Sequence, residues 1–533
     1  MTMCIVPQTP RFVVNFALQE GLMPGPAQWL HEASLRWPQR SAIVDEEVAI
    51  TFSALYSQSI QTAKWLHEKA KAGQRVIIGL PSSVTGSLLY FGSMYAGMVA
   101  VPIDPKLPRS QLSHMAAEID PALIIGAPEL EKKLDDERLC VVNHYHGFHE
   151  LISTLKRTTE SHLPELKRHP SALVNIVYTS GSTGVPKGVM LTNGNMEAVT
   201  RGISDVIDIT DNNTIFTALP FHHTYGLSQL WLMVKLGASL AVFPNITNMA
   251  AVKGMLMRYH VDVIAGVPYH FVLLTRRGEK HKNDSIKLVT LAGDAVPRSL
   301  IQKIRLSFPK TKINVMYGLT EASTRLTILP CGDIDDKVDS IGLPIEGIEL
   351  RIVDESGNDL GVHQEGELLA KGANITLGYW KDEKLTKKKI IKGWLHTGDL
   401  VRKDNEGYFY FQGRNDFIFK SGGEKIVPFA IEKVLLEIDG VNDAFVFGLE
   451  DTLKGNSICA AIVKSTKADI EAKDIISVCN ANLNPLWVPD EVVLLKEFPK
   501  ISMGKIDYDA LRQQMLRLRK VKDDIASQKA NFD

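Results

Sequence analysis

Neither sign of charge prevails in these 533 residues: 60 Lys and Arg stand against 61 Asp and Glu, a formal net charge of −1. That balance exerts no chain-wide pull on a phosphate backbone or an anionic lipid surface, so neither a nucleic-acid partner nor a polybasic anchor is expected. Cysteine is scarce. The five (Cys4, Cys140, Cys331, Cys459, Cys479) are scattered, with no C-x-x-C pair and no adjoining histidine ligands. A disulfide scaffold or a zinc ribbon is therefore not expected, and a cytoplasmic setting is. The opening residues, MTMCIVPQTPRFVVNFALQEG, lack a basic segment followed by a clean apolar run, and no signal peptide is read in them. Repeats and low-complexity tracts are also missing.

A long uninterrupted apolar run is missing as well, although one segment imitates it. No charge occurs between Arg75 and Asp104, but Pro81, Ser82 and Ser83 interrupt the stretch. VIIGL reads as a buried strand, Ser82–Gly97 as a helix with a serine N-cap, and MVAVPI as the next strand, so a transmembrane span is not expected.

What is present is ordinary globular material, 45% hydrophobic and 23% charged. At about 150 residues per domain the length suits three or four units, or one large α/β domain with smaller companions. LCVVN, LVNIVYT, SLAVF, VDVIAGV, IKLVTLAG and KINVMYG read as buried strands, with helices such as AAVKGMLMRYH and SLIQKIRLSF between them. That alternation predicts α/β architecture with doubly wound parallel sheets and ligands at the strands' C-terminal ends. From about residue 340 the texture becomes short strands with Asp-, Asn- and Gly-containing turns, which predicts a small antiparallel β-barrel over 340–413. After a turn at 414–416, residues 417–533 read as a small α+β domain, leaving 1–413 as one compound N-terminal domain.

The strongest local signal is Tyr178-Thr-Ser-Gly-Ser-Thr-Gly-Val-Pro-Lys187-Gly188. Hydroxyls, glycines and one lysine concentrate there, as a phosphate-gripping loop requires: open backbone N–H groups, donor hydroxyls and a cation. It is not a Walker A loop, because Gly188 rather than Ser or Thr follows the lysine, and VMLTN reads as a returning strand rather than a helix. Strand–loop–strand implies a flap over a triphosphate, with Thr179, Ser180, Gly181, Ser182, Thr183, Gly184 and Lys187 as its working residues.

This loop, and motifs in matching order over nearly the whole chain, resemble the adenylate-forming enzymes. That superfamily contains acyl- and aryl-CoA synthetases, free-standing adenylation domains and beetle luciferase. The resemblance implies that a carboxylate attacks the α-phosphate of ATP, with Mg²⁺, to give acyl-AMP and pyrophosphate. A thiol of CoA, or of a carrier protein's phosphopantetheine, then takes the acyl group.

Further roles follow from the resemblance. In Tyr317-Gly318-Leu-Thr320-Glu321, the tyrosine would stack on adenine, Thr320 would reach the α-phosphate and Glu321 would hold the metal. Gly293, Asp294 and Ala295 would line the adenine and acyl-phosphate region; the family often has a second glycine where Asp294 stands. Asp399, read as lying in a polar turn, would accept the ribose hydroxyls, and Arg414 would reach ribose and α-phosphate. Lys505, in PKISMGK, would be the adenylation lysine that holds charge in the transition state. Asp416 would be the hinge about which the small domain rotates between half-reactions, bringing Lys420, Gly422 and Gly423 to the thiol tunnel.

Pro220-Phe-His-His-Thr-Tyr-Gly226 carries no aspartate of the kind that pairs with an amino-acid substrate's ammonium. A buried amine would lack its partner, so a fatty or aryl acid is expected. His223, Tyr225 and Gly226 would line the acyl pocket, with His223 closing it and His222 structural. Arg325 reads most simply as a helix-surface arginine; the sharper reading is a cation for a second polar group on the acid. The function expected is an acid–thiol ligase forming acyl-CoA. The alternatives are an acyl–acyl carrier protein ligase and, more remotely, a luciferase-like oxidoreductase.

Overall fold

The β-branched runs form strands, and the computed structural model distributes them over two large sheets. It describes residues 22–142, 144–153, 168–180, 186–276, 283–337, 339–465, 470–499, 506–508 and 510–519. Among these, a seven-stranded sheet has the order Gly378–Tyr379, Pro186–Thr192, Leu173–Ser180, Val99–Pro102, Arg75–Gly79, Leu123–Gly126, Leu139–Val141. A nine-stranded sheet runs Leu343–Pro344, Thr327–Leu329, Lys312–Tyr317, Leu288–Leu291, Val263–Gly266, Thr214–Thr217, Ser239–Val242, Ser41–Val44, Ala49–Thr51. The central pairings are parallel; antiparallel pairs lie at both edges of the nine-stranded sheet and at the Gly378–Tyr379 edge of the seven-stranded one, whose other edge strand, Leu139–Val141, is parallel to its neighbour.

The uncharged segment is strand–helix–strand. Arg75–Gly79 and Val99–Pro102 pair in parallel, and helix Val84–Tyr95 between them is capped by Ser83 Oγ, which accepts from Gly86 N at 3.1 Å. Every residue of that helix is buried. In helix Thr224–Leu236, the residues from Thr224 to Val234 are buried as well. A helix apolar on every face has no side to give to water, so both lie in the interior, joined by Trp231 Nε1 donating to Tyr90 Oη at 2.9 Å. No helix of the described residues is long and apolar enough to cross a membrane.

The antiparallel region forms as expected from its turn residues. Ile348–Val353, Gly366–Gly372, Trp394–Lys403, Ile390–Ile391 and Phe409–Arg414 make a five-stranded sheet. Its ladder stays open, since no described pairing joins Ile348–Val353 to Phe409–Arg414. After the 3₁₀ turn Asn415–Phe417, a hairpin (Phe419–Ser421, Glu424–Ile426) leads into a three-stranded sheet of Val441–Asp451, Gly455–Lys464 and Glu491–Leu495. Helices Pro428–Leu436 and Ala472–Asn482 pack on that sheet around Ile431, Leu435, Ile475 and Cys479.

This small unit rests on the larger one. Phe429 meets Phe411 edge to face, with centroids 5.0 Å apart, and Lys433 Nζ lies 2.8 Å from Asp339 Oδ2.

Candidate active site

The C-terminal edge of the nine-stranded sheet gathers three of the expected motifs. Tyr317 ends one strand, Gly293 follows the neighbouring strand Leu288–Leu291, and His223 follows Thr214–Thr217 two strands further on. Chain leaving parallel strands at one edge leaves a crevice there, where backbone and loop side chains converge.

Tyr317 donates its phenolic proton to Asp399 Oδ2 at 2.5 Å, while Arg414 Nε stands 3.2 Å from Asp399 Oδ1. Asp399 is not in a turn as the sequence reading had it. It lies inside the long strand Trp394–Lys403, directly opposite Arg414 in the ladder. Gly398, at φ +77°, and a register irregularity between Leu400 and Val401 bend the strand locally, which lets a polar T-G-D string occupy a strand. Burial pushes the Asp399 carboxyl above its ordinary pKa, against the pull of Arg414 and the Tyr317 hydrogen bond. Burial lowers that of Arg414, but the charges of Asp399, Asp416, Tyr317 and Glu321 together leave it raised. Tyr317 is raised well beyond the phenol range by burial and then by Asp399.

The phosphate-loop hairpin is strand–loop–strand. Leu173–Ser180 and Pro186–Thr192 pair antiparallel, with Thr179 opposite Lys187. Gly181, Ser182, Thr183 and Gly184 lie outside the described residues, as does the Ser180 side chain. Lys187 Nζ is 3.7 Å from Asp382 Oδ2.

Glu321 sits in the 3₁₀ turn Thr320–Ala322 and accepts from Tyr379 Oη at 2.8 Å. Thr376 ties this turn to the phosphate-loop strand: its N–H donates to Glu321 O at 2.8 Å and its hydroxyl to Met190 O at 2.5 Å. Glu321 and the strand carrying Lys187 are therefore held by one segment. Gly318 packs against the same loop, where an added Cβ would lie 2.1 Å from Thr324 O, leaving no room for a side chain.

His223 occupies the N-cap position of helix Thr224–Leu236, and the His222 and His223 rings are 4.5 Å apart. His222 Nε2 is 3.8 Å from Asp104 Oδ2, and burial brings its pKa down to about 4, so the ring is neutral at neutral pH. Tyr225 is buried, its hydroxyl on Thr290 O (3.1 Å) and Thr290 Oγ1 (3.0 Å). Gly226 fits only as glycine, since a Cβ would stand 2.1 Å from Pro220 O. Arg325 is not a helix-surface residue. It lies in the turn before strand Thr327–Leu329, 1% exposed, its guanidinium carbon 4.9 Å from the centroid of the Tyr225 ring.

Gly293 takes φ +95° in an exposed loop with Asp294 and Ala295, and Asp294 Oδ1 accepts from Ala295 N at 2.8 Å. Lys505 lies outside the described residues. Of its flanks, Asp507 N donates to Pro499 O at 2.8 Å, and Tyr508 packs on Phe417 and Phe445 with centroids 5.0 and 4.7 Å away. Burial raises the Tyr508 pKa, followed by the charges of Asp294 and Glu432, with Arg414 opposing. Tyr508 thus lies within reach of the charges of Asp294 and Arg414. Asp416 is exposed in the turn Asn415–Phe417. Lys420, Gly422 and Gly423 form an exposed hairpin that is held to the small unit by Gly422 N donating to Lys454 O (2.9 Å) and Asn456 Nδ2 to Lys420 O (3.0 Å).

Sequence reasoning missed Tyr379, Asp382 and Asn374. Asn374 Nδ2 donates to Ala322 O (3.0 Å) and Arg325 O (2.9 Å), clamping the loop after Glu321. Each acts across the fold on a distant motif, and no local pattern announces it; the string Gly378-Tyr-Trp read only as a strand.

Residues 30–380 match the family of AMP-binding enzymes, and residues 430–505 match the AMP-binding enzyme C-terminal domain. The chain is 31% identical over 488 residues to a 2-succinylbenzoate–CoA ligase of Bacillus cereus (strain AH820), covering 91% of this chain and 98% of that one. An o-succinylbenzoate CoA synthetase from Bacillus subtilis, solved with its acyl-adenylate intermediate OSB-AMP, has a similar structure: TM-score 0.81, 26% identity, 93% of this chain and 98% of that one. The B. subtilis enzyme in complex with ATP and magnesium ion gives TM-score 0.81 at 25% identity, over 92% and 100%. With both family models matched and a relative aligned across nine-tenths of its length, the chain belongs to the AMP-binding enzymes.

Proposed function

We propose that this protein joins a carboxylic acid, aryl or fatty but not an amino acid, to the thiol of CoA at the expense of ATP. The observation that carries the reading is the Tyr317–Asp399–Arg414 cluster, set at the sheet edge beside a hairpin of hydroxyls, glycines and Lys187. An aromatic face, a buried carboxylate and a guanidinium fork together suit a nucleoside monophosphate. The 2-succinylbenzoate–CoA ligases among its relatives favour an aryl acid.

In the first step a carboxylate oxygen attacks the α-phosphorus in line, the bond to the bridging oxygen breaks, and pyrophosphate leaves. The ring of Tyr317 stacks on adenine and Asp399 accepts the ribose hydroxyls, each carboxylate oxygen having lone pairs beyond those that Tyr317 and Arg414 use. Arg414, Thr320 and Lys505 hold the α-phosphate oxygens, and Thr179 to Gly184 with Lys187 hold the departing phosphates. His223, Tyr225 and Gly226 line the acyl pocket, while the Gly293–Ala295 backbone borders adenine.

Among the described residues no group of three metal-binding side chains occurs. That fits Mg²⁺ arriving on the triphosphate, with Glu321 as its protein carboxylate oriented by Tyr379. When bound, the ion neutralises charge on the phosphate oxygens.

In the second step the thiol sulfur attacks the acyl carbon, the thiol proton is given up, and AMP leaves. One pocket serves both steps, so the cation of the first must withdraw. The boundary at 414–416, with Asp416 as pivot, lets residues 417–533 turn and present Lys420, Gly422 and Gly423 to the incoming pantetheine arm. Tyr508, which feels the charges of Asp294 and Arg414, and the exposed Gly422 and Gly423 support reading this orientation as the adenylating one. A reducing cytoplasm is the setting proposed, with Cys140, Cys331 and Cys479 free. Pyrophosphate release across a panel of acids, read with and without CoA, tests the reading; release that ignores the acid would refute it.

A further inference from the structure

Among the described residues Lys187 meets one carboxylate, that of Asp382, with Nζ 3.7 Å from Oδ2 and the two side chains 31% and 32% exposed. A pair so open to water contributes little to stability. What sets it apart is that the carboxylate is fixed in place. Asp382 is the N-cap of helix Glu383–Lys389, and its Oδ1 accepts from Leu385 N at 2.9 Å. Its N–H donates to Tyr379 O at 3.2 Å, and its carbonyl accepts from Thr386 N at 3.0 Å and Thr386 Oγ1 at 2.8 Å. Oδ2 is the oxygen left for Lys187.

The start of that helix is tied in turn to the phosphate-loop hairpin. Tyr379 pairs with Val189, Trp380 N donates to Gly188 O at 2.7 Å, and Lys381 Nζ donates to Glu118 O at 2.7 Å. The Glu118 carboxylate accepts from Tyr178 Oη at 2.7 Å, at the head of the hydroxyl–glycine string. Lys381, although not a glycine, takes φ +54°, a conformation that persists only where the surroundings enforce it. The chain therefore turns sharply after Trp380 and sets a carboxylate beside the one lysine of that string. The cap itself needs no charge, since asparagine caps a helix as well as aspartate does. An anion held against Lys187 opposes any phosphate that approaches the same ammonium.

We propose that Asp382 is a positioning residue for Lys187, its carboxylate competing with the departing phosphates for the ammonium so that pyrophosphate is held loosely. This rests on the ligase reading, in which Lys187 grips those phosphates, and adds what lets them go. Lys187 exchanges Asp382 Oδ2 for phosphate oxygens as ATP binds, and returns to the carboxylate as pyrophosphate leaves.

The test separates the charge from the cap: Asp382→Asn deletes the first and keeps the second, and Asp382→Ala deletes both. Binding of inorganic pyrophosphate, ATP and AMP is read by calorimetry without the acid, and melting temperature alongside. Asp382→Asn is expected to bind pyrophosphate and ATP roughly two- to five-fold more tightly, with AMP affinity and melting temperature unchanged. Asp382→Ala is expected to show the same tightening at a lowered melting temperature, whereas a residue kept only as a cap would give no tightening in either. Glu383→Gln removes the adjoining charge, which pairs with Lys387 at 2.9 Å, and is expected to change neither affinity. No tightening in Asp382→Asn, equal tightening of AMP, or equal tightening in Glu383→Gln would each overturn the inference. Lys187→Met is expected to weaken pyrophosphate binding. If it does so while Asp382→Asn tightens nothing, the phosphate-loop reading stands and the role of Asp382 falls; if it leaves pyrophosphate binding untouched, both fall.

Discussion

Tyr317 and Asp399 come from different sheets of the N-terminal region, 82 positions apart, and share one proton bond of 2.5 Å beneath the side chain of Arg414. On the proposed reading, the pair fixes a flat aromatic face and an acceptor carboxylate at a set spacing before a nucleotide arrives. Such preorganisation reduces the ordering that binding must otherwise impose.

Asp399→Asn keeps the shape and deletes the charge. Hydrogen bonds to an ionised group contribute about 1.5–3 kcal/mol, so kcat/KM for ATP should fall by roughly ten- to a hundred-fold. Steady-state kinetics at saturating acid, with AMP titration calorimetry, check this.

Tyr379→Phe removes the 2.8 Å bond that orients Glu321. Pyrophosphate release should vanish with a chelator and return with Mg²⁺. The variant should need a several-fold higher Mg²⁺ concentration for half-maximal rate, with KM for the acid unchanged. An unchanged Mg²⁺ requirement would place the metal elsewhere.

Glu432, on the helix that carries Phe429 to Phe411, accepts from Val446 N at 2.8 Å, and burial, with Asp294 and Asp443 nearby, pushes its pKa up to about 8. The folded state therefore binds the proton more tightly than the unfolded chain, where the carboxyl titrates at its ordinary value near 4.5. This group's contribution is fully present below that ordinary value and is lost as pH rises through about 8. Glu432→Gln should flatten the decline in melting temperature over that window, read by calorimetric scans; an unchanged slope would remove Glu432 as its source.

Lys505→Ala should collapse acid-dependent ATP–pyrophosphate exchange while sparing thioester formation from supplied acyl-AMP. Equal loss of both activities would mean that the lysine does not belong to the first step alone.

Much of this was legible before the fold was known. The phosphate-loop hairpin announces itself because its chemistry is local, with hydroxyls, glycines and lysine adjacent in the chain, and the returning strand follows at once. Strands such as Val263–Gly266 and Leu288–Leu291 are readable as short β-branched runs buried on both faces. Asp399 was misread because T-G-D has turn composition, while the bulge that lets it stand in a strand is set by pairing with Phe409–Arg414. Arg325 was misplaced for a related reason. A charged residue after a polar string is ordinarily solvated, and only the tertiary clamp from Asn374 turns it inward. Tyr379 and Asp382 reach Glu321 and Lys187 across the fold, which local reading does not see.

The central claim is that one crevice makes an acyl-adenylate and then spends it on a thiol. The direct measurement is a single-turnover reaction of enzyme, ATP labelled at the α-phosphate and an aryl acid, resolved by mass spectrometry before and after addition of CoA. Without CoA, acyl-AMP and pyrophosphate should accumulate in equal amounts on the enzyme; with CoA, acyl-AMP should disappear as acyl-CoA and AMP form in equal amounts. Formation of ADP and phosphate, or acyl-CoA appearing with no adenylate before it, would contradict the account.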